Sequence, residues 1–290
     1  MRLLLIGLIA VASVAAQDSP FTLKVDVSMV SVDVAVFHSS GVPVTGLGKQ
    51  DFVVYEDGRR QAIQTFASSD TPYNVLLVLD RSGSMTSTFP LLIEAVNRFI
   101  SNLRAQDRFA LAAFDRSVKR LVSWRSVRSG PNQAVKLQTG GDTDFYSALD
   151  WAADELKKVS GRKTALFFTD GEDYRIYDLE DGPKAFQKAL RTIRQTKVPF
   201  QFVGLGADPE RGGANLKRLA EETGGRAHLA ESVEELVPLY DQISRDLGIS
   251  YTIGYLSDKP ARIGSKHTIE IALPAHNYRV SQSRTFYTTN

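Results

Sequence analysis

Asp80, Ser82 and Ser84 alternate within Asp80-Arg81-Ser82-Gly83-Ser84-Met85, directly after the apolar run Val75-Leu76-Leu77-Val78-Leu79. One carboxylate and two hydroxyls at this spacing can turn toward one point, and Gly83 lets the backbone curl tightly there. Hard oxygen donors of this kind suit Mg²⁺ or a similar cation. Two more stretches offer donors. Gly140-Gly141-Asp142-Thr143-Asp144 precedes a helical pattern, so Thr143 can cap that helix or present its hydroxyl to a cation. Asp170 follows Thr164-Ala-Leu-Phe-Phe-Thr169, a short apolar strand that stops at Asp170-Gly171. Asp80, Ser82, Ser84, Thr143 and Asp170 could therefore converge on one centre. Two carboxylates there would repel each other without a cation between them.

The elements that must position these residues are legible as periodicity. Leu91, Leu92, Ala95, Val96, Phe99, Ile100 and Leu103 recur at helical spacing over 88–105. Helices are also expected at 144–158, 183–196, 214–222 and 233–247, alternating with strands at 74–80, 108–114, 118–124, 164–169, 198–205 and 227–229. That alternation, with mostly apolar strands, predicts an α/β domain: a doubly wound, mostly parallel sheet with helices on both faces. Ligands of such sheets bind beyond the carboxyl ends of the strands, where Asp80 and Asp170 lie.

On both sides of this body the period changes to two. Leu23, Val25, Val27 and Met29 share one phase; Val30, Val32, Val34 and Val36 share the other. The flip between Met29 and Val30 calls for a bulge or a break. Phe52-Val53-Val54-Tyr55 and Ile63-Gln64-Thr65-Phe66 flank Glu56-Asp57-Gly58, which reads as a hairpin. Strand patterns return at 251–255, 267–273 and 285–287. The two flanks are expected to pair into one small β-sandwich; the alternative is two independent β extensions. The expected division is a signal peptide at 1–16, an N-terminal β segment at 17–72, the α/β domain at 73–247 and a C-terminal β segment at 248–290.

Met1-Arg2, an apolar run at 3–14 and small residues at Val14-Ala15-Ala16 fit a secretory leader cleaved after Ala16. The run is short for an uncleaved anchor, which is the alternative. Export to the periplasm or the extracellular space is thus expected, with no transmembrane segment in the mature chain. The chain has no cysteine, which excludes a disulfide framework and a lipid-modified cysteine. Its formal charge is +2, about +1 once Arg2 leaves, which offers no electrostatic case for nucleic acid. His38, His228, His267 and His276 lack zinc-ligand spacing and read as surface or core histidines. Gly204-Leu205-Gly206 lacks the third glycine of a dinucleotide fingerprint.

Asp80-x-Ser82-x-Ser84, Thr143 in Gly-Gly-x-Thr, and Thr169-Asp170-Gly171 together resemble the metal-ion-dependent adhesion site of the von Willebrand factor A domain family. The resemblance covers about 73–247, and all five positions match. The flanks, with Gly46-Leu47 through Gly58 and Tyr251-x-x-Gly254-Tyr255, are similar to those of a group of bacterial secreted proteins related to this domain. The resemblance implies that Ser82 and Ser84 bind the cation directly, Thr143 directly or through water, and Asp80 and Asp170 mainly through waters. The cation would be Mg²⁺, or Mn²⁺ or Ca²⁺. An acidic side chain of a protein partner would fill the open position, giving an adhesion-type binding module. Two other readings stand beside it. One is a metal-assisted hydrolase, which lacks an evident general base or nucleophile; the other is a structural part of an envelope assembly. Neither the partner nor the oligomeric state is legible. The additional acids Asp142, Asp144, Glu172 and Asp173 are expected to be solvated loop or helix-start carboxylates; the alternative is that they tune cation choice.

Overall fold

The structure, a computed structural model, describes residues 29–129, 138–175, 177–232, 235–257, 259, 265–282 and 285–288. The leader at 1–16 and the alternating Leu23, Val25 and Val27 lie outside the described residues.

The centre is a six-stranded sheet built from β5 (Tyr73–Asp80), β6 (Arg108–Phe114), β7 (Val118–Ser126), β8 (Arg162–Thr169), β9 (Phe200–Leu205) and β10 (Ala227–Ala230). Before β5 come β1 (Met29–Phe37), β2 (Val53–Glu56), β3 (Arg59–Gln61) and β4 (Ile63–Ala67). The sheet order is β10-β9-β8-β5-β6-β7. Every pairing is parallel except β6 with β7, which are antiparallel at one edge. All eight residues of β5 are buried, as expected for a central strand covered on both faces. Its side chains alternate. Tyr73, Val75, Leu77 and Leu79 pack with α1 (Phe89–Asn102) and α5 (Leu236–Ile249). Leu76 and Val78 pack with α2 (Phe145–Leu156), α3 (Asp181–Gln195) and α4 (Gly212–Thr223) on the other face. The doubly wound architecture is the expected one, with helix ends moved by one to three residues. Pro183 falls within the first turn of α3, where its missing N–H has no partner to lose.

The flanks make two four-stranded antiparallel sheets. Here β11 (Tyr251–Leu256), β12 (Lys266–Ala272), β13 (Arg279–Gln282) and β14 (Phe286–Thr288) supply the C-terminal strands. One sheet has the order β13-β1-β11-β4 and the other β14-β12-β2-β3, so each contains strands from both ends of the chain. Val30, Val32, Val34 and Val36 from β1 share a core with Val54, Ile253, Tyr255, Ile269 and Ile271. The flanks therefore form one sandwich rather than two separate extensions.

The expected hairpin needs correction. Its turn is Asp57-Gly58, both at positive φ (47° and 76°), which suits a two-residue turn. The strand that returns is β3, in register Val54↔Gln61 and Glu56↔Arg59, and not the Ile63–Phe66 run. That run is β4, which crosses to the other sheet and pairs with β11. A turn this tight fixes the register at once, leaving the more apolar segment free to cross over.

Candidate metal-binding face

Three loops meet at the carboxyl ends of β5 and β8. Asp80 is fully buried and ends β5. Its Oδ1 accepts the Ser82 backbone N–H at 2.9 Å, and its Oδ2 accepts the Thr169 hydroxyl at 2.7 Å. The hydroxyls of Ser82 and Ser84 lie 3.0 Å apart. Ser84 in turn donates to Asp170 Oδ2 at 2.6 Å. Asp80, Ser82, Ser84 and Asp170 thus form one connected set, bridged by hydroxyls. Burial, then repulsion from Asp170, pushes the Asp80 carboxyl up to about 7.

The middle loop is held between the other two. The Gly83 N–H donates to the Gly141 carbonyl at 3.1 Å, and the Gly140 N–H to the Arg81 carbonyl at 2.9 Å. Tyr174 N–H donates to the Thr143 carbonyl at 2.9 Å. Thr143 is half-buried in this loop. It does not cap α2. Asp144 is the N-cap, its Oδ1 accepting the Ser147 N–H at 3.1 Å. A carboxylate there complements the helix N-terminus, and the Thr143 hydroxyl is not used for the cap.

The additional acids have other work. Asp142 pairs with the Arg116 guanidinium in an exposed ion pair. Asp144 also pairs with Arg175. Asp173 is buried; it accepts the Tyr146 N–H at 3.0 Å and Arg175 Nε at 2.8 Å. Arg175 lies over the Tyr146 and Tyr174 rings at 5.3 and 4.6 Å. Glu172 is reached by the Tyr177 hydroxyl at 3.4 Å. These contacts fit structural roles at the rim. Thr169 and Arg175 are the residues to which the sequence alone assigns no role. A threonine one position before a strand-end carboxylate was the available signal for Thr169.

Two glycines are required by close approach. Gly171 follows Asp170 at φ 80°, and a Cβ there would meet the Gly212 carbonyl at 2.7 Å. A Cβ on Gly212 would meet the Asp170 carbonyl at 2.3 Å. The start of α4 is thereby pressed against the third loop.

The donor set fits a hard divalent cation. It consists of carboxylate and hydroxyl oxygens, two of the carboxylates repel each other, and a bound cation would reverse that repulsion. No histidine belongs to this set. His228 lines a cavity with Asp33, Arg226 and Ser281, where the α/β body meets the sandwich. His38 and His276 pack on Tyr278, and His267 on Tyr287.

Residues 75–172 match the model of the von Willebrand factor type A domain. Among curated proteins, the inter-alpha-trypsin inhibitor heavy chain H2 of Sus scrofa is 27% identical over 198 residues, covering 61% of this chain and 20% of that protein. The chain thus spans about a fifth of the length of that relative. Among solved structures, a von Willebrand factor type A protein from Catenulispora acidiphila superposes with a TM-score of 0.52 at 14% identity, over 87% of this chain and 76% of that one. The PilB minor pilin from Streptococcus sanguinis gives 0.52 at 14% identity, over 66% and 63%. At these identities the solved structures speak for the fold. Residues 75–172 thus match the von Willebrand factor type A domain model, and the doubly wound sheet that contains them has the fold of those structures.

Proposed function

We propose that the protein is an exported binding module whose cation bridges to an acidic side chain of a protein partner. Asp80, Ser82, Ser84, Thr143 and Asp170 would hold the cation, with Mg²⁺ the best match to an all-oxygen set and Mn²⁺ or Ca²⁺ the alternatives. The observation that carries this reading is the convergence of the buried Asp80 and of Asp170 on the linked Ser82 and Ser84 hydroxyls, all of them oxygen donors. Carboxylates in that arrangement call for a positive charge. Domains of this type commonly mediate protein–protein interaction, which agrees with a binding rather than a catalytic role. The short basic start, apolar run and small residues of 1–16 support export. Among the described residues no helix is long and apolar enough to cross a membrane.

Capture of partners from extracts of the source organism, in Mg²⁺ and in EDTA, tests the reading. The expected result is a partner retained in Mg²⁺ and released by EDTA, and not captured by Asp80→Ala or Ser82→Ala protein. Retention under all three changes would overturn it.

A further inference from the structure

The sandwich carries a cluster that plays no part in the loops around Asp80. Glu56 ends β2, Asp57 opens the β2–β3 turn, and His267 lies on β12, which pairs with β2. Each offers one ligand atom, and the three atoms lie within 4.8 Å of one another. We propose that Glu56, Asp57 and His267 form a second cation site, for a divalent ion of the Zn²⁺ class, that ties the N-terminal and C-terminal flanks together.

The spacing is close to what such an ion needs. His267 Nδ1 is 2.9 Å from Asp57 Oδ2 and 3.9 Å from Glu56 Oε1. Tetrahedral ligands bonded at about 2.0–2.1 Å stand roughly 3.3–3.4 Å apart. The two observed separations bracket that value, so shifts of about half an ångström would admit the ion.

Burial supplies an independent argument. Glu56 is fully buried, and an ionised carboxylate in that position is costly unless paired. Its Oε1 accepts the Ser257 hydroxyl at 2.7 Å and the Tyr287 hydroxyl at 3.0 Å. Among the described residues its Oε2 has no hydrogen-bond partner, and neither does the buried Nε2 of His267. Orphaned buried polar atoms are few in folded proteins and call for an explanation. A cation at the cluster would neutralise the Glu56 charge that two hydroxyls only partly solvate.

The surroundings resemble a supporting shell. Asp57 Oδ1 accepts the Thr268 N–H at 2.8 Å, which orients the carboxylate. Its Oδ2 is shared by His267 Nδ1 at 2.9 Å and Lys259 Nζ at 2.6 Å, so all three groups meet at one oxygen. Burial pushes the Tyr287 phenol well up, so it serves as a donor to Glu56 rather than as a ligand. Imidazole nitrogen with carboxylate oxygens favours Zn²⁺ over Mg²⁺, which prefers oxygen and retains its waters.

Lys259 is the competitor. Its ammonium lies 2.6 Å from Asp57 Oδ2, and its side chain is 26% exposed on a flexible stem. It neutralises the cluster when no ion is bound, and it can swing into solvent when one is. Asp57, 28% exposed, marks the entry path. The cluster therefore differs from a plain ion pair in one measurable respect: removing Lys259 should strengthen cation binding.

The test is Zn²⁺ titration by calorimetry, with thermal unfolding, on the full chain carrying Asp80→Ala so that the loop site is silent. The expected result is one saturable Zn²⁺ per chain and a higher Tm with Zn²⁺. His267→Gln should abolish both. Lys259→Met should tighten binding about fivefold, the worth of a partly exposed ion pair. Absence of saturable binding in the Asp80→Ala protein would overturn the proposal. So would binding undiminished by His267→Gln, which would mean adventitious surface binding. If His267→Gln fails to fold, Lys259→Met decides: unchanged or weaker Zn²⁺ binding rejects the site. None of these outcomes depends on a partner or on Mg²⁺.

Discussion

The two ends of β5 hold their charged groups in opposite ways. At the Tyr73 end, the Tyr73 hydroxyl donates to Asp33 at 2.9 Å, and the Arg162 guanidinium lies 4.5 Å over the Tyr73 ring. Arg162 also donates to the Ser250 hydroxyl at 2.8 Å, the Thr252 hydroxyl at 3.1 Å and the Thr71 carbonyl at 3.2 Å. Asp107 accepts the Tyr73 N–H and is paired with Arg104. That end is a junction in which acid meets base and the α/β body is tied to the sandwich. At the Asp80 end, acid meets acid through hydroxyls. The same strand thus ends in an acid–base network on one side and in two carboxylates joined by hydroxyls on the other. The difference teaches where structure is secured and where the proposed cation would act.

Breaking the junction should have the larger effect on stability. Arg162→Met removes a buried cation and leaves several acceptors unpaired. We expect a loss on the order of 3 kcal/mol, read by urea unfolding, with little change in Mg²⁺ affinity of the folded protein. A loss below about 0.5 kcal/mol would erase the contrast between the two ends.

Asp80→Asn should act with the opposite sign. Burial, and then Asp170, disfavour the charge of the native Asp80 carboxyl and push it up to about 7, above the ordinary carboxylate range. The native state therefore binds this proton more tightly than the unfolded state. Its contribution is fully favourable below about pH 4 and is lost as pH rises through 7. At pH 8 the metal-free Asp80→Asn protein should be more stable than the parent, on the order of 2 kcal/mol, and the difference should shrink toward pH 5. Mg²⁺ should stabilise the parent and not the variant. Chemical denaturation at pH 5 and pH 8, with and without EDTA, measures all four values. A variant less stable than the parent at pH 8 in EDTA would count against the uncompensated-charge account.

Thr169→Val sharpens the comparison at the smallest scale. It keeps the shape and removes the hydroxyl that donates to Asp80 Oδ2 and accepts the Gly171 N–H. The expected destabilisation is about 1–2 kcal/mol in Mg²⁺, with a severalfold weaker Mg²⁺ affinity by calorimetry. Unchanged affinity would show that Thr169 only braces the loop.

Much of this molecule was legible before any coordinates, because its signals are local. Eight successive buried positions in β5 and the periodic apolar stripe of α1 both report burial directly from residue type. Asp80, Ser82 and Ser84 lie within five residues, so their convergence needs only a turn. The roles of Thr143 and Asp144 were less legible. Both are good capping residues, and only the path of the loop decides which one reaches the helix N-terminus. The β2–β3 hairpin was misassigned for a related reason. Ile63–Phe66 is the stronger strand by composition, yet the two-residue turn commits Arg59–Gln61 to the pairing.

What the sequence by itself determined is the alternation of elements and the placing of oxygen donors at strand ends, since both follow from patterns a few residues long. What only the tertiary structure decided is which distant strands pair. Glu56 and His267 are more than two hundred residues apart, and neither lies in a spacing that announces a site. They meet because β2 and β12 are antiparallel neighbours in a sandwich assembled from both flanks. Sheet register across such a separation is set by burial of two faces at once, and no short stretch of sequence encodes it.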